Sequence, residues 1–193
     1  LSGDHLHEVT AVIPVGPGDT PYPALRTLRG PREIVVVDDP DGRGAPWARN
    51  RGFEKVRTPF VLFSDADVEW EPDAVEALCA ALLAAPEAAY AYGSYEMDGA
   101  VYCDRPFDAA ALRRNNFVST MSLVRREAFP GFDEDLPRLQ DWDLWLTMLE
   151  QGRTGISCGW RIFRTQKRTG ISFGGPVTWE QARAIVARKH GLP

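Results

Sequence analysis

Apolar residues in the first half of the chain come in short blocks, and between those blocks they recur at helical spacing. VTAVIPV at Val9–Val15, EIVVV at 33–37 and FVLF at Phe60–Phe63 are too short for buried helices and rich in β-branched or aromatic residues. Such runs predict strands covered on both faces. The intervening stretches 22–28 and 46–56 read as helices, the second with Pro46 in its first turn. A longer helix starts at Pro72, carries Val75, Leu78, Cys79 and Leu82 on one face, and ends at Pro86. Strand and helix alternating in this way require right-handed crossovers and a parallel sheet, so all three strands finish at one edge.

The second half is less regular. Strands are expected at 88–95, 101–103, 117–124 and 161–163, with a short helix at 107–114. A later helix places Trp142, Trp145, Leu146 and Leu149 on one stripe and closes at Gly152, and a C-terminal helix covers 178–189. With no repeat or low-complexity segment, the pattern describes one mixed α/β domain over 1–193. A length of 193 residues with 44% hydrophobic content supports a substantial core.

Charge and cysteine usage narrow the class. The net charge of -5 is spread without an acidic or basic block, which weighs against nucleic acid as a partner. No run reaches the roughly 18 apolar residues of a membrane span, and the start has neither a basic n-region nor an apolar h-region. Cys79, Cys103 and Cys158 lack metal-ligand spacing and read as buried free thiols, which suits a reducing, cytoplasmic compartment.

Candidate chemistry gathers at the shared strand edge. Pro14 and Val15 end the first strand, Asp38 and Asp39 the second, and Asp65, Ala66 and Asp67 follow the third. In open parallel sheets this edge binds ligands, and carboxylates at i and i+2 can converge on one hard cation. An isolated Asp-x-Asp is equally a turn, because Asp hydrogen-bonds nearby backbone amides. The convergence of three such strand ends favours a site. Arg49 and Asn50 lie within reach of it, and Trp47 and Trp70, beside the motifs, are candidates for its walls. Trp142 and Trp145 belong to the core. Asp141 and Asp143 open the late helix, where the helix dipole alone also favours acids.

Three stretches in order, EIVVVDD, ARNRGFEKVRTPFVLFSDADV and GFDEDLPRLQDWDLWL, resemble inverting glycosyltransferases of family 2 with the GT-A fold, over roughly residues 9–150. The resemblance implies an α/β domain with a mostly parallel central sheet flanked by helices, its nucleotide-binding half at about 8–95 and its acceptor-side half at about 96–193. It implies a UDP-, GDP- or dTDP-sugar donor, Mn²⁺ or Mg²⁺, and a hydroxyl acceptor on a glycan, protein or small molecule. By the same resemblance Asp38 and Asp39 contact base and ribose, Asp65 and Asp67 hold the metal on the diphosphate, and Asp141 is the general base. Pro14, Val15, Arg49, Asn50, Asp65 and Ala66 complete the expected donor pocket. A diphosphate would repel bare carboxylates, so a cation between them is physically required.

Two departures from the family pattern stand out. Only eight residues separate Asp39 from Ala48, where the family usually has a helix and a strand, so the nucleotide pocket is expected to be pared down. Gln140 stands where Glu is frequent, and no late His at a recognisable position offers a third metal ligand. Two other classes stay open: a non-catalytic nucleotide-sugar or glycan-binding module, and a sugar nucleotidyltransferase. The second is disfavoured because VGPGDTPYP has no Arg or Lys for phosphates.

Overall fold

The computed structural model describes residues 8–166 and 177–192. Their elements run β1 (Val9–Val15), α1 (Tyr22–Thr27), β2 (Glu33–Asp38), α2 (Ala45–Phe53), β3 (Phe60–Phe63), β4 (Glu69–Trp70) and α3 (Ala74–Ala84). They continue with β5 (Ala88–Met97), β6 (Ala100–Tyr102), α4 (Ala109–Arg114), β7 (Leu123–Arg125), α5 (Gln140–Glu150), β8 (Thr154–Thr165) and α6 (Trp179–Lys189). The eight strands form one sheet in the order β2-β1-β3-β7-β5-β8-β4, with β6 paired to β5. β1 is parallel to both β2 and β3, as the alternation predicts, and β5 is parallel to β8. β7 runs antiparallel between β3 and β5. Thus β1, β2, β3, β5 and β8 point one way and β4, β6 and β7 the other, giving a mostly parallel mixed sheet.

Every residue of β1 and β3 is buried, which is why both runs are apolar but for Thr10, whose hydroxyl accepts from Thr58 Oγ1 at 2.8 Å. β2 departs from that expectation: as an edge strand it buries Val35 and Val37 and leaves Ile34 and Val36 exposed. One face of the sheet packs Ala11, Ile13 and Leu62 against Leu28, Val75, Leu78 and Leu82 from α3 and the end of α1. The other packs Val12, Val61 and Phe63 with Ala48, Trp142 and Trp145. Both indoles are fully buried, and their N–H groups donate to the carbonyls of Leu112 at 2.7 Å and Val118 at 3.0 Å. That satisfies the one polar atom each ring brings inside.

Several elements differ from the sequence pattern. The strand expected at 117–124 shrinks to Leu123–Arg125 because its hydroxyls turn the backbone. Ser119 Oγ accepts the Met121 N–H, and Ser122 Oγ donates to the Ser119 carbonyl. The segment 161–163 is part of a much longer β8, whose apolar signal is diluted by Gly155, Gly159, Arg161 and Arg164. α6 begins as expected, at a Thr178 N-cap with a reciprocal capping box to Gln181. The three cysteines are free, but only Cys79 is buried; Cys103 and Cys158 are partly exposed. Among the described residues no helix is long and apolar enough to cross a membrane.

Candidate active site

The carboxyl ends of β1, β2 and β3 are held in step by backbone bonds. Asp39 N–H donates to the Val15 carbonyl at 2.8 Å, and Ser64 N–H to the Val12 carbonyl at 3.0 Å. Asp38 is exposed at the end of β2, beside Val15. Asp39 is buried, and its two oxygens accept the backbone N–H groups of Arg43 at 2.9 Å and Gly44 at 2.6 Å. Gly44 precedes α2 with φ 106, a conformation that side chains disfavour. Asp39 therefore closes the short 40–44 loop and sets where α2 starts. Further along that helix, a Cβ on Gly52 would fall 2.3 Å from Val12 Cγ1. The glycine lets α2 lie directly on β1, which carries Arg49 to the end of β3.

Arg49 is only 6% exposed. Its Nη2 pairs with Asp65 Oδ1, its guanidinium lies 5.3 Å from the Phe132 ring centroid, and its Nε has no hydrogen-bond partner. The neighbouring Asn50 serves a different element. Its Nδ2 donates to the Phe132 carbonyl at 2.9 Å and to Glu134 at 2.7 Å, and its Oδ1 accepts the Phe132 N–H at 2.9 Å. Arg49 and Asn50 thus tie α2 both to the Asp65 turn and to the loop that leads into α5.

Ala66 is buried, and its carbonyl accepts the Ala24 N–H at 3.3 Å, linking the turn to α1. Asp67 is half-buried beside it. Trp70 was expected in the site wall but is 4% exposed and lies beneath the turn. Its indole N–H donates inward to Ser64 Oγ at 2.9 Å, and its ring packs 5.9 Å from that of Phe163. Trp47 is half-buried, with the Arg43 guanidinium 4.8 Å from its ring centroid.

Asp141 opens α5 directly after Gln140, and the preceding Leu139 has a left-handed backbone at φ 60. Its Oδ1 accepts the Trp142 N–H at 2.9 Å, and its Oδ2 accepts the Asn116 side-chain amide at 2.8 Å. Burial pushes the carboxyl above its ordinary value. The Trp142 N–H and the Arg49 charge pull it back, and Asp65 adds to the rise. The charges of Arg49 and Asp65 thus reach the Asp141 carboxyl. The Asp141 charge also reaches Tyr95 and Cys103. Burial is the main cause that raises both, the thiol to about 12, and the charge of Asp141 contributes in each case. Gln140 Nε2 donates to the Leu136 carbonyl at 3.3 Å. Asp143 faces away: it is 3% exposed and bonded to Lys189 and His190 of the C-terminal segment.

Nothing in the sequence marks Asn116, Tyr95 or Cys103 as a site residue. Asn115 and Asn116 follow α4, where Asn reads as a helix stop, and nothing local announces that an amide there will meet α5. As for a metal, no group of three or more His, Cys, Asp or Glu is assembled among the described residues. Asp65 and Asp67 are hard oxygen donors of the type Mn²⁺ and Mg²⁺ take, and such ions commonly fill the rest of their shell with water and substrate phosphate. The residues fit a cation as a partial shell shared with a diphosphate.

A curled α/β sheet with carboxylates at the ends of its parallel strands has the architecture of GT-A glycosyltransferases. Residues 19–130, more than half of the chain, match the family model for glycosyl transferase family 2, and the chain belongs to that family. The matched span includes Asp38, Asp39, Asp65 and Asp67 and stops before Asp141. Among solved structures, glucosyl-3-phosphoglycerate synthase from Mycobacterium tuberculosis, in complex with Mn²⁺, UDP-glucose and phosphoglyceric acid, is similar with a TM-score of 0.66. The identity is 16%, over 100% of this chain and 83% of that one. S. aureus TarS 1-349 in complex with UDP-GlcNAc also gives 0.66, at 10% identity over 94% of this chain and 66% of that one. The chain spans 60% of another TarS 1-349 structure and 39% of the TarS chain in a third. At these identities the likeness is one of fold. Comparison with curated proteins finds no match.

Proposed function

We propose that this chain is the catalytic domain of an inverting, metal-dependent glycosyltransferase that moves a sugar from a UDP-, GDP- or dTDP-sugar to an acceptor hydroxyl. The observation that carries the reading is the pairing of Asp65 with the buried Arg49 at the ligand-binding edge of the sheet, with the charges of both reaching the Asp141 carboxyl. The nucleoside lies over Pro14, Val15 and the exposed Asp38, while Asp39 shapes the 40–44 loop that frames the base. The diphosphate lies over Asp65, Ala66 and Asp67, with Arg49 as the nearby fixed cation and Asn50 holding the adjoining loop. Mn²⁺ or Mg²⁺ held by Asp65 and Asp67 would offset charge on the departing diphosphate.

Asp141 takes the proton of the acceptor hydroxyl as that oxygen bonds to the anomeric carbon. The bond from that carbon to the diphosphate oxygen breaks on the opposite face, so configuration inverts. Partial burial keeps the carboxylate basic enough for this work. Residues of about 8–95 carry the donor and those of about 96–193 the acceptor side. The three free thiols support a reducing, cytoplasmic setting.

Thermal melting against UDP-, GDP- and dTDP-sugars, each with Mn²⁺ or chelator, tests the binding half of this reading. Ligand at 100 times its Kd stabilises by about 2.7 kcal/mol. One nucleotide class should raise the melting temperature only with metal, and Asp67→Asn should abolish that rise. No rise with any donor, or an equal rise in chelator, contradicts the proposal.

A further inference from the structure

We infer that Asn116 is the positioning residue of the base, turning the Asp141 carboxylate toward the acceptor; the inference rests on the reading of Asp141 given above. The carboxylate is held from two elements. Trp142 N–H, from its own helix, fixes Oδ1 at 2.9 Å, and the Asn116 amide, from the α4–β7 connection, fixes Oδ2 at 2.8 Å. A carboxylate has about four lone-pair positions, so two donors orient it and leave others for a substrate hydroxyl.

Asn116 is itself held in one orientation. Its Oδ1 accepts the Val118 N–H at 3.1 Å, so a flipped amide would face a donor with a donor and the carboxylate with a carbonyl. The backbone around it is pinned as well. Asn115 N–H donates to the Ala111 carbonyl at 2.9 Å, and the Val118 carbonyl receives the Trp145 indole at 3.0 Å. The chemistry of the donor matters too. An ammonium or guanidinium in its place would hold the carboxylate but strip its basicity, whereas a neutral amide orients it without adding a charge. The charged groups that also act on Asp141 are Arg49 and Asp65, and the Asp141 charge in turn reaches Tyr95 and Cys103.

The test compares the parent with Asn116→Ala and Asn116→Asp. The second variant retains an acceptor for Val118 N–H, removes the amide donor toward Asp141 and sets a second carboxyl beside it. Melting curves confirm that each is folded. The Asp141 carboxyl is titrated by ¹³C NMR in protein free of donor and metal, a readout that needs no turnover. Losing a hydrogen bond to the charged form should raise the midpoint by on the order of one pH unit in Asn116→Ala. The rise should be larger in Asn116→Asp, where two carboxylates compete for one proton.

In parallel, UDP release from UDP-glucose and from UDP-GlcNAc is followed with Mn²⁺ and water as acceptor. The kcat should fall by about 10 to 10²-fold with KM unchanged within about twofold. Adding Asn116→Ala to Asp141→Asn should slow release no further, because the amide acts only through the carboxylate. An unmoved titration midpoint in the folded variants, or multiplied losses in the double variant, would overturn the inference. Parent-like turnover in Asp141→Asn would instead remove the base reading, while the titration still reports on the Asn116 contact.

Discussion

Replacing Asp143 by Ala should loosen the C-terminal helix while leaving the donor site intact. The carboxylate is 3% exposed; its Oδ1 lies 2.8 Å from Lys189 Nζ and 2.9 Å from His190 Nε2, and its Oδ2 accepts from Lys189 at 3.0 Å. Removing one member of a buried ion pair costs about 3–5 kcal/mol when the other is left uncompensated. Here the survivors are partly compensated. Lys189 is 39% exposed and keeps Asp133 at 2.6 Å, and His190 keeps Glu150 at 2.8 Å. The His190 ring is 2% exposed, however, so its Nε2 loses a partner that water does not readily replace. The balance is about 2–3 kcal/mol, or roughly 4–12 °C of melting temperature for a chain of this size. Differential scanning calorimetry measures the shift, and a double-mutant cycle with Lys189→Ala isolates the pair. Because Asp143 faces α6 and not the strand ends, metal-dependent donor affinity of the folded variant should match the parent. A melting temperature within about 1 °C of the parent, or a donor defect like that of Asp67→Asn, would refute the assignment.

Two further outcomes follow from the charges around the site. Arg49→Gln removes the cation beside Asp65, and a unit charge about 4 Å from an ion costs about 4 kcal/mol at an effective dielectric of 20. Isothermal titration should therefore show Mn²⁺ binding to donor-free protein at least about tenfold tighter; equal or weaker binding contradicts the pairing. Stability should also depend on pH through Asp133, in the loop before α5, and Asp141, in its first turn. The bond from Lys189 holds the Asp133 carboxyl below its ordinary value, so its contribution is present above that value and is lost as pH falls through the lowered one. Burial raises Asp141, so the parent should lose stability relative to Asp141→Asn as pH rises from the ordinary carboxylate range through the raised value. Urea melts from about pH 3 to 8 check both signs, and a pH-independent difference between parent and Asp141→Asn would contradict the second.

The parts of the fold legible in the sequence are those whose physics is local. β1 and β3 announce themselves because both faces are buried, and Trp142 and Trp145 because a helical stripe must face a core. The strand-end acids are legible for a related reason: parallel pairing of β1, β2 and β3 forces their ends together once the alternation is seen. What escaped is set by tertiary contact. Trp70 lies beside Asp67 in the chain yet points inward, because Ser64 offers its indole a buried acceptor. Asn50 looks like a phosphate contact, but its amide is committed to the Phe132 backbone, far along the chain. Asn116 reads as a helix stop, and its partner Asp141 reads equally well as a first-turn acid; only their 2.8 Å contact joins them.

The rate of nucleoside diphosphate release from the donor, measured on the parent and on Asp141→Asn at equal donor occupancy, tests the central claim most directly. A base contributes when the hydroxyl attacks and adds little to donor binding, so the two quantities should separate. The account predicts release in the parent, a rate about 10² to 10⁴-fold lower in Asp141→Asn, and donor affinity unchanged within about twofold. Release at the parental rate in Asp141→Asn, or a parent that binds donor with metal and never releases the diphosphate to any acceptor or to water, would contradict it.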